Sequence, residues 1–192
     1  MTETLDNRPP ARERLLAAAG ELFYAEGIHT VGIDRVIDHA GVAKASLYSS
    51  FGSKDELIRG YLMRWHERIQ EEMTARIAGH DDTRSKLLAM FDHLVDACRD
   101  PAFRGCPFLN ANAESQPGSA AAEVAELSRA WRWSLVLGLL NQIGAADPES
   151  LARQLIMLED GAMVATRLDH NPASAEAARS AAKTLIDAAA RA

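Results

Sequence analysis

The stretch IDRVIDHAGVAKASLYSSFGSKDEL, residues 33–57, decides the fold. Ile33, Val36, Ile37 and Ala40 form a short apolar stripe at helical spacing. Gly41 stops it and supplies the positive φ that a tight turn between helices needs. A second short helix is predicted near Ala43 to Phe51, with Val42, Ala45, Leu47, Tyr48 and Phe51 as its apolar set, closed by Gly52. Lys44, Ser46, Ser49 and Ser50 face away from that stripe. Such a thin polar face suits a DNA groove about as wide as one helix. Ser53 and Glu56 then make an S-x-x-E capping box at the start of a longer helix.

Working outward, Met1 to Pro10 reads as a flexible arm, and Pro9 and Pro10 stand where a helix begins. Leu15, Leu16, Ala19, Leu22 and Phe23 make the first helical stripe, ended by Gly27. Beyond the capping box, Leu57, Tyr61, Trp65, Ile69, Met73 and Ile77 recur every four residues. That helix runs to about Ala78 and joins the first domain to the second. Asp81 or Asp82 starts the next, with Leu87, Leu88, Phe91, Leu94, Val95 and Cys98 on its buried side and Pro101 as its breaker. A short helix is expected at Phe108 to Glu114, and a long one at Ser119 to Ile143. Asp147-Pro148 starts a helix to about Asp169, and Ser174 is read as the cap of a last helix, Ala175 to Ala190. The expectation is an all-α chain of about nine helices, divided as arm 1–10, helix-turn-helix domain 11–57 and helical body 58–192.

Hydrophobic residues make up 47% of the 192, enough for a real core. There is no apolar leader and no run near the ~18 residues of a membrane span, so a soluble cytoplasmic protein is expected. Cys98 and Cys106 have no metal-ligand spacing around them. No nucleophile elbow, phosphate loop, dinucleotide fingerprint or H-E-x-x-H motif occurs. No two histidines stand three or four residues apart, and His93 beside Asp92 reads as a solvated helix face. Neither catalysis, a metal nor a cofactor is therefore expected. A helical protein-binding adaptor is the alternative to a DNA-binding protein.

The stretch Ala11 to Leu57 resembles the TetR family of transcriptional regulators. The resemblance rests on an aromatic helix end, G-I, a short helix, A-G-V, then L-Y-x-x-F-x-S-K-x-E-L. It implies that Lys44, Ala45 and Ser46 face bases at the start of the recognition helix. It implies further that Tyr48 reaches a phosphate, that Ser49 faces the groove, and that Lys54 contacts backbone phosphate at a helix N-terminus. Three departures from the pattern stand out. Val31 and Gly32 replace the usual threonine and capping residue, Ile37 replaces an alanine, and Ser49-Ser50 replaces an aromatic-histidine pair. Charge runs against DNA binding: the chain carries −6 overall, and residues 1–57 hold six Lys/Arg against nine Asp/Glu, 6 − 9 = −3.

The resemblance also implies a body that binds a small-molecule effector and dimerises on a palindromic operator. Trp65, Phe91, Phe108, Asn112, Trp131, Glu159 and Met163 are the candidate effector-binding residues: bulky apolar groups with a few polar ones among them. Of Glu159-Asp160, either one acid points inward, where it suits a cationic or hydrogen-bonding ligand, or Gly161 lets another helix approach and the acids lie on its rim. Leu151, Leu155, Leu158, Ala162, Ala178, Ala182 and Leu185 are the candidate dimer stripe of the last two helices. Cys106, after Arg104 and at a helix start, is either a redox-responsive thiol or a buried structural one.

Overall fold

The computed structural model describes residues 8–189; most of the expected arm and the last three residues lie outside the described residues. Among the described residues there are nine helices and no strand. The first four are α1 (Ala11–Glu26), α2 (Ile33–Ala40), α3 (Lys44–Phe51) and α4 (Lys54–Ala78). The rest are α5 (Thr83–Arg99), α6 (Pro107–Glu114), α7 (Ala120–Gln142), α8 (Pro148–Asp169) and α9 (Ala173–Ala189).

Short polar caps start several helices. Ser53, Asp82, Ser119 and Asp147 each accept a backbone N–H from three residues on. Gly32 takes the N-cap of α2 without a side-chain bond, as its missing hydroxyl requires. The last helix starts earlier than the sequence indicates. Asn171, not Ser174, accepts the Ala173 N–H at 2.9 Å, because an Asx side chain bonds two residues ahead in a turn.

Two apolar cores hold the molecule. One joins α1 to α4 around Leu15, Leu47, Leu57 and Leu62, and extends to Cys106, Phe108 and Ala111 of the α6 region and to Val124 of α7. The other joins α5, α7, α8 and α9 around Leu87, Leu140, Leu155 and Ile186. The head therefore does not close on itself; α6 supplies part of its core. Eight-residue helices are too short to persist alone. Docking holds α3: its Leu47 is wholly buried, worth roughly 1.5–3 kcal/mol.

The stripe expected to form a dimer is already covered by its own chain. Leu151, Leu155, Ala162, Ala178 and Ala182 are buried where α8 and α9 pack on α5, and Leu158 and Leu185 are half-buried against the same core. The apolar residues left in the open on α8 are Met157, Val164 and Leu168, 50–72% exposed.

Candidate nucleic-acid interface and ligand cavity

The turn between α2 and α3 is built around Gly41, whose φ of 60° is left-handed. Its N–H closes α2, and its carbonyl accepts the Arg14 guanidinium at 3.2 Å. Arg14 thus braces the turn from α1. Lys44, Ala45, Tyr48 and Ser49 of α3 are exposed together on one face, with Ser46 half-buried beside them. Tyr48 presents an aromatic ring that is 48% exposed.

Ion pairs fix where the acids of the head are engaged, without changing its net charge. Glu26 grips Arg35, with one bond at 2.7 Å, and Glu21 meets His39 at 2.7 Å. Glu13 meets Arg64 at 3.2 Å. Glu13, Glu21 and Glu26 of α1 are thereby engaged by partners on α2 and α4. One pair lies on the binding face: Asp34 of α2 holds the Lys44 ammonium at 2.8 Å. This bond raises the Lys44 pKa and keeps the side chain charged. A phosphate brought to this face would compete with Asp34 for that charge. Asp34→Asn is expected to strengthen binding to any duplex by about two- to fivefold. An unchanged anisotropy titration at low salt would exclude that competition.

Lys54 is placed differently from expectation. Its ammonium lies 5.9 Å from the centre of the Phe23 ring, half-buried rather than held out to solvent. Burial pulls its pKa down, while nearby Glu114 pulls it up. A helix N-terminus adjoining a packed α1 leaves the long side chain an apolar surface to lie on. Reaching a phosphate requires it to leave Phe23.

Beneath the head lies a cavity of 580 Å³. Trp65, Phe108, Trp131, Glu159 and Met163 line it, as the sequence indicates. Phe91 and Asn112 do not: Phe91 is packed in the second core, lining only a small separate void, and Asn112 is exposed on α6. Helical period alone does not separate two buried faces of α5, nor the two sides of α6. Residues the sequence did not single out as lining include Tyr24, Arg68, His93, Ser128 and Arg132. Their signal is absent locally, because α1, α4, α5 and α7 bring them together from afar.

The floor of the cavity is charged. Arg132 contacts Glu159 at 3.2 Å and Asp160 at 3.4 Å, and Arg129 contacts Asp160 at 2.9 Å. Glu159 of the pair therefore faces the cavity, while Asp160 lines the groove on the open side of α8. Arg132 is raised in pKa by Glu159 above all, against its burial, and stays charged. At the mouth, Arg76 meets Asp96 at 2.8 Å, and the Arg68 guanidinium stacks 3.7 Å from the centre of Trp65.

Cavity and head are bonded to each other. The Tyr24 hydroxyl accepts the Arg104 N–H at 2.9 Å and donates to the Gly105 carbonyl at 3.1 Å. Gly105, Cys106, Pro107 and Phe108 are cavity wall. At the other end of α6, Glu114 accepts the His29 N–H at 3.0 Å. Gly27 permits this approach: a Cβ there would lie 2.8 Å from the Glu114 carboxylate, and its φ is 96°.

Cys106 is a cavity-wall thiol, buried in its own chain. Burial pushes its pKa up and outweighs Arg132 and the amides of Phe108 and Leu109, which pull it down. The arginine that acts on it is Arg132 from α7 rather than Arg104. The thiol is therefore protonated at neutral pH, and reactivity appears only as pH rises above the ordinary thiol value. Iodoacetamide labelling of the native protein, followed by mass spectrometry, is expected to be slower at neutral pH than for a free cysteine. Labelling as fast as free cysteine would contradict this.

A helix held across a glycine turn, with its polar side outward and its body hollow, defines a helix-turn-helix DNA-binding regulator. Residues 15–61 match the profile of the bacterial regulatory proteins of the tetR family, and residues 83–182 match the tetracyclin repressor-like C-terminal domain. The chain belongs to the TetR family of transcriptional regulators. It is 38% identical to SCO4454, a TetR-family regulator from Streptomyces coelicolor. Their structures agree with a TM-score of 0.89, over 94% of this chain and 96% of that one. A putative TetR-type regulator from Streptomyces avermitilis is 31% identical, with a TM-score of 0.79 over 94% of this chain and 98% of that one. The transcriptional activator FasR of Mycolicibacterium smegmatis is 37% identical over 93 residues. That match spans 47% of this chain and 42% of FasR. No helix among the described residues is long and apolar enough to cross a membrane.

Proposed function

We propose that the protein is a ligand-responsive repressor that binds a palindromic operator as a homodimer and is released when a small molecule fills the cavity. The observation that carries this reading is the shared wall. α4 lines the cavity through Trp65, Ile69 and Met73, and its first turn packs under α3. A ligand that moves α4 or the 104–106 segment moves the head with it. Release is the family's common mode, and the bonds of Tyr24 and Glu114 support it by giving the displacement a path. Lys44, Ala45, Ser46, Tyr48 and Ser49 carry the contacts to DNA, and Lys54 joins them if it swings off Phe23.

Dimerisation is assigned to the open face of α7 and α8, not to the covered stripe. Met157, Gly161, Val164, Ala165 and Leu168 line a groove of 1070 Å³ with Trp133. Two copies joined there by a two-fold axis would present two heads to two half-sites.

The test is a mobility shift on the DNA upstream of the protein's own gene, repeated at several salt concentrations and with candidate compounds. A specific shift relieved by a compound that also raises the melting temperature supports the reading. No shift at low salt would leave the adaptor function in its place.

A further inference from the structure

The charges on the cavity floor select the ligand. Arg132 has two carboxylate partners, Glu159 on the cavity side and Asp160 on the groove side. Asp160 is secured a second time by Arg129. Glu159, among the described residues, pairs with Arg132 alone. Its side chain is 15% exposed and that of Arg132 12%. The two charges are thus not interchangeable toward a visitor.

An anionic ligand would draw Arg132 to itself and leave Glu159 enclosed without a cation. Burial pushes neighbouring His93 toward its neutral form, so it does not fill the gap. Breaking a buried pair in this way is strongly unfavourable. A cationic ligand would draw Glu159 instead, and Arg132 would stay paired with Asp160. Every buried charge then keeps a partner. The walls agree with this choice. Trp65, Phe103, Phe108 and Trp131 offer π-faces, and a guanidinium already rests on Trp65. The lining carries three arginines, Arg68, Arg76 and Arg132, against four acids, Glu72, Asp96, Asp100 and Glu159.

We infer that the effector is a hydrophobic organic cation, seated among the aromatic walls with its charge on Glu159. This rests on the cavity being the effector site. The repositioning of Arg132 toward Asp160 would carry the event from the cavity to the α7–α8 groove.

Tetraphenylphosphonium and tetraphenylborate, alike in shape and opposite in charge, form the decisive pair of probes. Neutral N-phenylnaphthylamine reports whether the cavity is open to any apolar molecule. Equilibrium dialysis at neutral pH is expected to show the phosphonium binding at least tenfold more tightly than the borate. Glu159→Gln, which leaves Arg132 its Asp160 partner, is expected to erase that preference, and Glu159→Asp to restore part of it. Equal or tighter binding of the borate overturns the inference while leaving the cavity reading intact. Binding of the neutral probe alone does the same. If none of the three binds, the cavity reading itself falls. A preference unchanged in Glu159→Gln overturns the role of Glu159.

Discussion

Met157→Glu/Leu168→Glu is expected to convert the protein to a monomer at micromolar concentration, read by sedimentation velocity. Met157, Gly161, Val164 and Leu168 recur at helical spacing on one side of α8, while Ala152, Leu155, Ile156 and Ala162 are buried on the other. Met157 is 67% exposed and Leu168 72%, a state that contiguous large apolar side chains take up where a partner covers them. A Cβ built on Gly161 would touch nothing within 4 Å, so a second helix has room to approach. Placing two carboxylates in that face buries charge on association and repels the copy related by symmetry. Operator affinity is expected to fall about a hundredfold or more, because two linked heads on one site gain that much over one. The fold should survive, since neither side chain is packed in its own chain. Persistence of the dimer would move the interface to the small exposed residues of α9, such as Ala177, Ala181 and Ala188.

Arg132→Met is expected to destabilise the body by about 3–5 kcal/mol, because it leaves Glu159 enclosed and without a cation. Arg132 stands at 12% side-chain exposure, where water cannot take over its role. Pairing the change with Glu159→Leu should recover most of the loss, since removing both charges also removes the cost of dehydrating them. Chemical denaturation of the two single variants and the double variant measures the coupling. Additive losses would show that Arg132 and Glu159 act independently and that the pair is not the organising contact of the cavity floor. The same variants separate stability from sensing: the double variant should fold, bind operator and ignore cations.

Much of the head was legible from local pattern. The stripe at Ile33 to Ala40, the turn at Gly41 and the cap at Ser53 each involve residues within one or two turns of each other, and all appear where the spacing puts them. Five of the seven residues proposed for the effector line the cavity, and they were legible for a different reason: large side chains and a stray acid on otherwise apolar helices have few places to go. Phe91 and Asn112 were not, because α5 and α6 each carry more than one face that could meet a cavity. The dimer stripe failed the same way. α8 is apolar on two sides, and the period gives both without saying which one the chain covers for itself. The head stays net negative, since Arg35 is itself one of the six cations counted; where its acids are engaged was not legible in the sequence. The acids of α1 pair with α2 and α4, while Asp34 stays beside Lys44 on the face that also carries Tyr48 and Ser49.

By itself the sequence determined the helices, their caps except that of α9, and the helix-turn-helix, since hydrophobic period, glycine and capping residues act within a few residues along the chain. Tertiary structure alone decided which apolar face remains open, where Lys54 rests, and that Arg132 holds two acids while Glu159 holds one base. Those outcomes depend on contacts between residues tens of positions apart, where packing and dehydration choose among arrangements that the local pattern leaves equivalent.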